Sequence, residues 1–91
     1  GDHAVKYDMD HPSGVPQLMS RIGRISKLNE DSFRVEVEIR PTSTKILFDI
    51  EVFEAEERHT LARASGETLE EAIYYLQERI GPGLEHWGYI E

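Results

Sequence analysis

Two stretches of alternation, joined by a short breaker, most constrain what this chain can fold into. From Ser32 to Arg40, the apolar residues Phe33, Val35, Val37 and Ile39 alternate with Arg34, Glu36, Glu38 and Arg40. Successive side chains of a strand point to opposite faces, so this pattern with β-branched residues predicts a half-buried strand. Pro41-Thr42-Ser43-Thr44 interrupts it, because proline lacks a backbone donor and its neighbours favour turns. A second run spans Lys45 to Phe53. Ile46, Phe48, Ile50 and Val52 continue the apolar face, while Leu47, Asp49, Glu51 and Phe53 point the other way. Glu54 to Glu57 read as a charged turn, and a third strand is expected from about Arg58 to Ser65. Its small residues Thr60, Ala62 and Ala64 are expected inward, with His59, Leu61 and Arg63 outward. The three form an antiparallel meander.

A helix should roof that sheet. Thr68 is placed to cap it, and Glu71, three residues on, completes a capping box. Glu70 and Glu71 also suit the positive end of the helix dipole. Leu69, Ala72, Ile73, Leu76 and Ile80 recur at steps of three and four, making one apolar stripe. Gly81 and Pro82 are expected to stop the helix near residue 80. Leu84, Trp87, Tyr89 and Ile90 then concentrate enough apolar area to close one end of the core.

The stretch 17–28 reads two ways. Leu18, Met19, Ile22, Ile25 and Leu28 share half a helical wheel entered at Pro16, whereas Ser20, Gly23 and Ser26 disfavour a helix. Residues 1–16 show no period and are expected to form an N-terminal arm, leaving 17–91 as a single domain. The predicted class is α+β: an antiparallel meander of three or four strands with one face covered by a C-terminal helix, and a possible additional N-terminal helix. The chain starts at Gly1, so the natural N-terminus is expected to be missing. The absence of cysteine fits a reducing cytosol as well as a disulfide-free exported domain, with the cytoplasm favoured.

Register follows from keeping apolar faces together, since a one-residue slip turns every side chain over. Placing Arg34 opposite Asp49 also sets Glu38 opposite Lys45, and the next hairpin then sets Asp49 opposite Arg63. That arrangement avoids like charges across strands, which destabilise a sheet. The sheet face away from the helix is expected to carry an interaction surface of Leu47, Asp49, Phe53, His59, Leu61 and Arg63. A contiguous apolar patch rimmed by charge marks a contact site, and a free strand edge offers a second route to association. A homo-oligomer, most simply a homodimer, is the expected state.

Chemistry is sparse. No cysteine is present, which excludes disulfides, zinc–thiolate sites and thiol nucleophiles. The four histidines, His3, His11, His59 and His86, show no metal-binding spacing. His3, Asp8, Asp10 and His11 could together hold a divalent ion, but an acidic arm is the plainer reading. Gly81-Pro82-Gly83 follows a helix and does not open one, so it is no phosphate loop. Glu56-Glu57 and Glu70-Glu71 are explained by a turn and a cap. No catalytic residue, metal or cofactor is therefore expected, and the protein is expected not to be an enzyme. Tyr74, Tyr75 and Trp87 would line a pocket if a small ligand-binding or enzymatic domain were the alternative.

The net charge of −8 falls unevenly: residues 46–91 hold eleven acidic residues against three basic ones. Phosphate contacts dominate nucleic-acid affinity, so a nucleic-acid partner is disfavoured, with Arg21, Arg24 and Lys27 the one local basic stripe. No apolar run is long enough to cross a bilayer.

The segment Leu61-Ala62-Arg63-Ala64-Ser65-Gly66-Glu67-Thr68-Leu69-Glu70-Glu71-Ala72-Ile73 resembles the last strand and helix start of HicB-type antitoxins. The resemblance implies an antitoxin-like binder whose acidic surface covers a basic protein partner. The chain departs from that family in lacking a Pro- and Gly-rich loop before the strand and an appended DNA-binding element. The strand-strand-strand-helix order is also similar to double-stranded-RNA-binding domains, but Glu67, Glu70 and Glu71 stand where those carry lysines.

Overall fold

Strands β1 (Phe33–Pro41) and β2 (Ile46–Glu54) form the first hairpin, and β3 (Thr60–Gly66) adds to β2, giving an antiparallel sheet of order β1-β2-β3. Helix α1 (Val15–Ile25) precedes the sheet and α2 (Leu69–His86) follows it, so the architecture is α+β. The computed structural model describes residues 14–90, apart from the side chain of Glu30. The expected N-terminal arm, with its His3, Asp8, Asp10 and His11, otherwise lies outside the described residues, and Val15 and Pro16 already belong to α1.

Of the two readings of 17–28, the helical one holds. Pro16 occupies the first turn, where its missing N–H costs nothing, and Leu18 and Ile22 are completely buried. That burial outweighs the poor propensity of Ser20 and Gly23. Ser26 ends the helix, and a 3-10 turn at Glu30–Ser32 leads into β1.

The alternation in β1 and β2 sets the two faces as expected, but the register slides. Phe33 pairs with Glu54, Arg34 with Phe53 and Pro41 with Ile46. The expected pairs Arg34–Asp49 and Glu38–Lys45 do not form. Thr42 is the reason. Its N–H donates to the Lys45 carbonyl (2.7 Å), and its hydroxyl oxygen accepts from the N–H groups of Thr44 (3.3 Å) and Lys45 (3.0 Å). These bonds hold a turn that places Glu36 opposite Glu51 and Glu38 opposite Asp49. Exposed ion pairs contribute only ~0–1 kcal/mol each, so turn geometry decides over cross-strand charge.

A bulge in the second hairpin overturns part of the reading of β3. Asp49 pairs with Ser65 rather than Arg63, and the register shifts between Val52 and Phe53. Val52 faces Ala62 while Phe53 faces Thr60, so Leu61 is the extra residue. Thr60 consequently lies on the open face, where its hydroxyl donates to Glu51 Oε2 (2.6 Å). Leu61, expected outward, joins the core alongside Ala62 and Ala64.

The helix also departs from expectation at its end. It is capped as predicted: Thr68 Oγ1 accepts from the Glu71 N–H (3.0 Å), and the Glu71 carboxylate accepts from the Glu67 N–H (2.9 Å). But it runs through Gly81-Pro82-Gly83 to His86. Pro82 and Glu78, whose carbonyl the proline cannot satisfy, both lie on the exposed side, where water can serve instead. The extra turn buries Leu84 completely. Gly83 makes this feasible, for a Cβ there would sit 1.8 Å from the Leu61 carbonyl oxygen. The true stop is Gly88, at φ +75. Its N–H reaches the Glu85 carbonyl (3.1 Å), and that of Tyr89 reaches the Leu84 carbonyl (2.8 Å), the paired bonds of a Schellman motif.

The core joins Leu18 and Ile22 of α1, Phe33, Ile50, Val52, Leu61, Ala62 and Ala64 of the sheet, and Ala72, Ile73, Leu76, Ile80 and Leu84 of α2. Tyr89 and Ile90 pack against it, as expected of the C-terminal stretch. Helix α2 lies over β3 and part of β2 and barely touches β1. The roof is thus narrower than the sheet. Val37, Ile39 and Ile46, all expected in the core, are 43%, 62% and 54% exposed.

Candidate interaction surface

The open face of the sheet is mostly charged, and hydrogen bonds and ion pairs link most of its polar side chains. Arg40 donates from Nε (2.8 Å) and Nη2 (3.2 Å) to Asp49, diagonally across the first hairpin. Ser65 Oγ donates to the same carboxylate from β3. Thr60 and Arg63 converge on Glu51, and Arg58 reaches Glu36 (3.3 Å). Arginines beside the acidic residues thereby offset the like-charge pairs that the register imposes. The Arg40 hydrogen bond, with that of Ser65, holds the Asp49 carboxyl below its usual range, and raises Arg40 in return. The Thr60 hydrogen bond and the nearby Arg63 lower Glu51 in the same way. A shallow depression of about 1100 Å³ includes Glu38, Arg40, Asp49, Glu51, Arg63 and Ser65 in its lining. Carboxylates held ionised suit ion pairing and furnish no proton donor near neutral pH.

The six residues expected to form the contact patch do not assemble into one. Leu47, Asp49 and Arg63 do lie on the open face, Leu47 half-buried opposite Arg40. Phe53 lies there too but is only 5% exposed, with the Arg58 guanidinium 3.9 Å from its ring centre. His59 leaves the sheet. Its ring stacks on Trp87 (centroids 3.8 Å apart, planes 3° apart), and its Nδ1 lies 2.7 Å from the Tyr89 hydroxyl. Leu61 is in the core. Alternation alone carried no sign of the bulge that separates Leu61 from Phe53.

Apolar surface appears instead on the helix side of the sheet, at the end beyond α2. Ile39 pairs with Phe48 and Pro41 with Ile46, so Val37, Ile39 and Ile46 adjoin the half-buried Val35 and Phe48 in one patch. Helix α2 lies over β3 and part of β2 and leaves this part of β1 and the start of β2 uncovered, a placement that composition and period do not reveal.

The two edges of the sheet differ. On β3, Trp87 Nε1 donates to the Thr60 carbonyl (2.9 Å) and the Arg79 guanidinium donates to the Arg63 carbonyl. Side chains of α2 and its cap thus occupy two of the outward backbone acceptors. On β1, the Ser32 carbonyl accepts from Ala55 N–H (2.9 Å), and Thr42 N–H bonds to Lys45. Backbone direction alternates along an antiparallel strand, so even-numbered residues of β1 face β2 and odd-numbered ones face outward. Arg34 folds back onto the carbonyls of Asp31 (2.9 Å) and Phe33 (3.1 Å). Among the described residues, no side chain covers the outward backbone groups of Val35, Val37 and Ile39.

Elsewhere, Glu54 closes the turn before β3, its carboxylate accepting from the N–H groups of Glu57 (2.8 Å) and Glu56 (2.9 Å), which lowers its pKa. Burial, with the charge of Glu54 nearby, raises that of Tyr89. Among the described residues no group of three or more His, Asp or Glu side chains could hold a metal ion, and no helix is long and apolar enough to cross a membrane. Compared with protein-family models, curated proteins and solved structures, the chain matches none.

Proposed function

We propose that this chain is a self-associating protein-interaction module that acts by contact rather than catalysis, through the apolar end of its sheet. The observation that carries the reading is the exposure of Val37, Ile39 and Ile46 together on the same sheet face that buries Phe33, Ile50, Val52, Ala62 and Ala64 in the core. Single exposed apolar residues are ordinary, but a contiguous group beside a free strand edge is costly in water and marks a contact surface. The engaged, ionised carboxylates of the opposite face support a binding role over acid–base chemistry.

Solution mass tests this directly. Sedimentation equilibrium should give twice the chain mass. The double substitution Ile39→Lys/Ile46→Lys should give the single-chain mass while leaving the fold's circular dichroism and thermal transition intact. A wild-type chain that stays monomeric throughout the concentration range would remove the proposal.

A further inference from the structure

Resting on that reading, we infer that the partner is a second copy of this chain, joined β1 to β1 in antiparallel fashion with Glu38 on the twofold axis. The sheet then becomes six-stranded, in the order β3-β2-β1-β1-β2-β3. Three observations converge on it. The first is the difference between the edges. Trp87 and Arg79 cover backbone acceptors of β3, which protects that edge from added strands. Val35, Val37 and Ile39 on β1 offer alternate N–H and C=O groups that no side chain of the described residues covers, the template that strand addition uses.

The second is charge. The open-face row of β1 reads Arg34, Glu36, Glu38, Arg40. Run against itself with Val37 on the axis, it opposes Arg34 to Arg40 and Glu36 to Glu38, like against like. With Glu38 on the axis, Arg40 of each copy opposes Glu36 of the other, at the cost of one Glu38–Glu38 contact. With Glu36 on the axis, Arg34 would oppose Glu38, but Arg34 is already turned onto the carbonyls of Asp31 and Phe33. Arg40 spends only Nε and Nη2 on Asp49 and is half exposed.

The third is apolar fit. The Glu38 axis places Val37 opposite Ile39 twice, bringing together two of the most exposed apolar side chains of the protein. It forms about six backbone hydrogen bonds, four between Val37 and Ile39 and two from Val35 N–H to the Pro41 carbonyl. Pro41, lacking an N–H, donates none. The charged face of each sheet continues across the seam, and so does the apolar face.

The chain has no cysteine, so a single introduced one reports geometry cleanly. In this register Glu38 forms a non-hydrogen-bonded pair with itself, whose Cα atoms lie about 4.5 Å apart, within disulfide reach. Glu38→Cys should cross-link into a covalent dimer on mild oxidation, whereas Glu36→Cys and the β3-edge control Ser65→Cys should remain single chains. Arg40→Glu should weaken self-association about tenfold, and adding Glu36→Arg to the same chain should restore it. Preferential cross-linking of Glu36→Cys or Val37→Cys would overturn the register. A chain that doubles its mass yet cross-links at none of these β1 positions would overturn edge pairing while leaving self-association standing. A monomeric wild type would remove both.

Discussion

Replacing Gly83 by alanine tests whether α2 is seated on the β3 bulge as described. A Cβ at residue 83 would lie 1.8 Å from the Leu61 carbonyl oxygen, 2.6 Å from its carbonyl carbon and 2.9 Å from its Cα. All three are backbone atoms, and none can swing aside. Real Cβ contacts stay beyond 3.0 Å, so helix and strand must part by at least 1.2 Å there. That movement loosens Leu84 and Ile80, both virtually buried, against Leu61 and Ala62. Overpacking costs about 1–3 kcal/mol, and partial loss of a buried leucine's contacts adds a similar amount. The alanine recovers about 1 kcal/mol in helix propensity. The net loss is about 1–5 kcal/mol, which lowers Tm by roughly 5–40 °C for a domain of this size. Gly81 is the internal control. It lies two residues away in the same helix, and a methyl group there would meet nothing within 4 Å, so Gly81→Ala should stabilise by about 0.5–1 kcal/mol. Urea unfolding followed by circular dichroism and Trp87 fluorescence measures both. If Gly83→Ala proves as stable as the wild type, the seating of α2 on Leu61 is wrong.

Ile73 is fully buried at the centre of the apolar stripe of α2, so Ile73→Ala should cost about 2–5 kcal/mol in chemical denaturation; a loss below about 0.5 kcal/mol would contradict its place in the core. Acid should destabilise the fold through Asp49, Glu51 and Glu54. Each has a folded pKa below its unfolded value, so the stability it contributes is complete above the unfolded carboxylate range and is lost as pH falls through the folded value. Tm should hold between about pH 7 and pH 5 and decline below about pH 4, with a shallower decline in Glu54→Gln; a Tm that rises on acidification would contradict the assignment.

Local rules were enough for much of this protein. Period-two alternation located β1 and β2 and sorted their faces, because a side chain's face in a strand depends only on its parity. The Thr68 cap and the stripe from Leu69 to Ile80 located the start and buried side of α2, since both are properties of a single helical turn. Which residues share a face of the first hairpin, and which stripe of α2 turns inward, were therefore legible before any contact was known.

What needed the tertiary structure were quantities that no single element contains. The register of the first hairpin was settled by Thr42 bonding across its own turn, and weak exposed ion pairs adjusted to it. The bulge reversed Thr60 and Leu61 by inserting one extra residue into β3, which changes the parity of every position before it. Helix α2 continued past Pro82 because Leu84 found a fully buried site, a gain invisible to a rule about prolines. The candidate contact surface moved for a related reason. Whether Val37, Ile39 and Ile46 are core or surface depends on how far a neighbouring helix extends across the sheet, and their own sequence carries no measure of that distance.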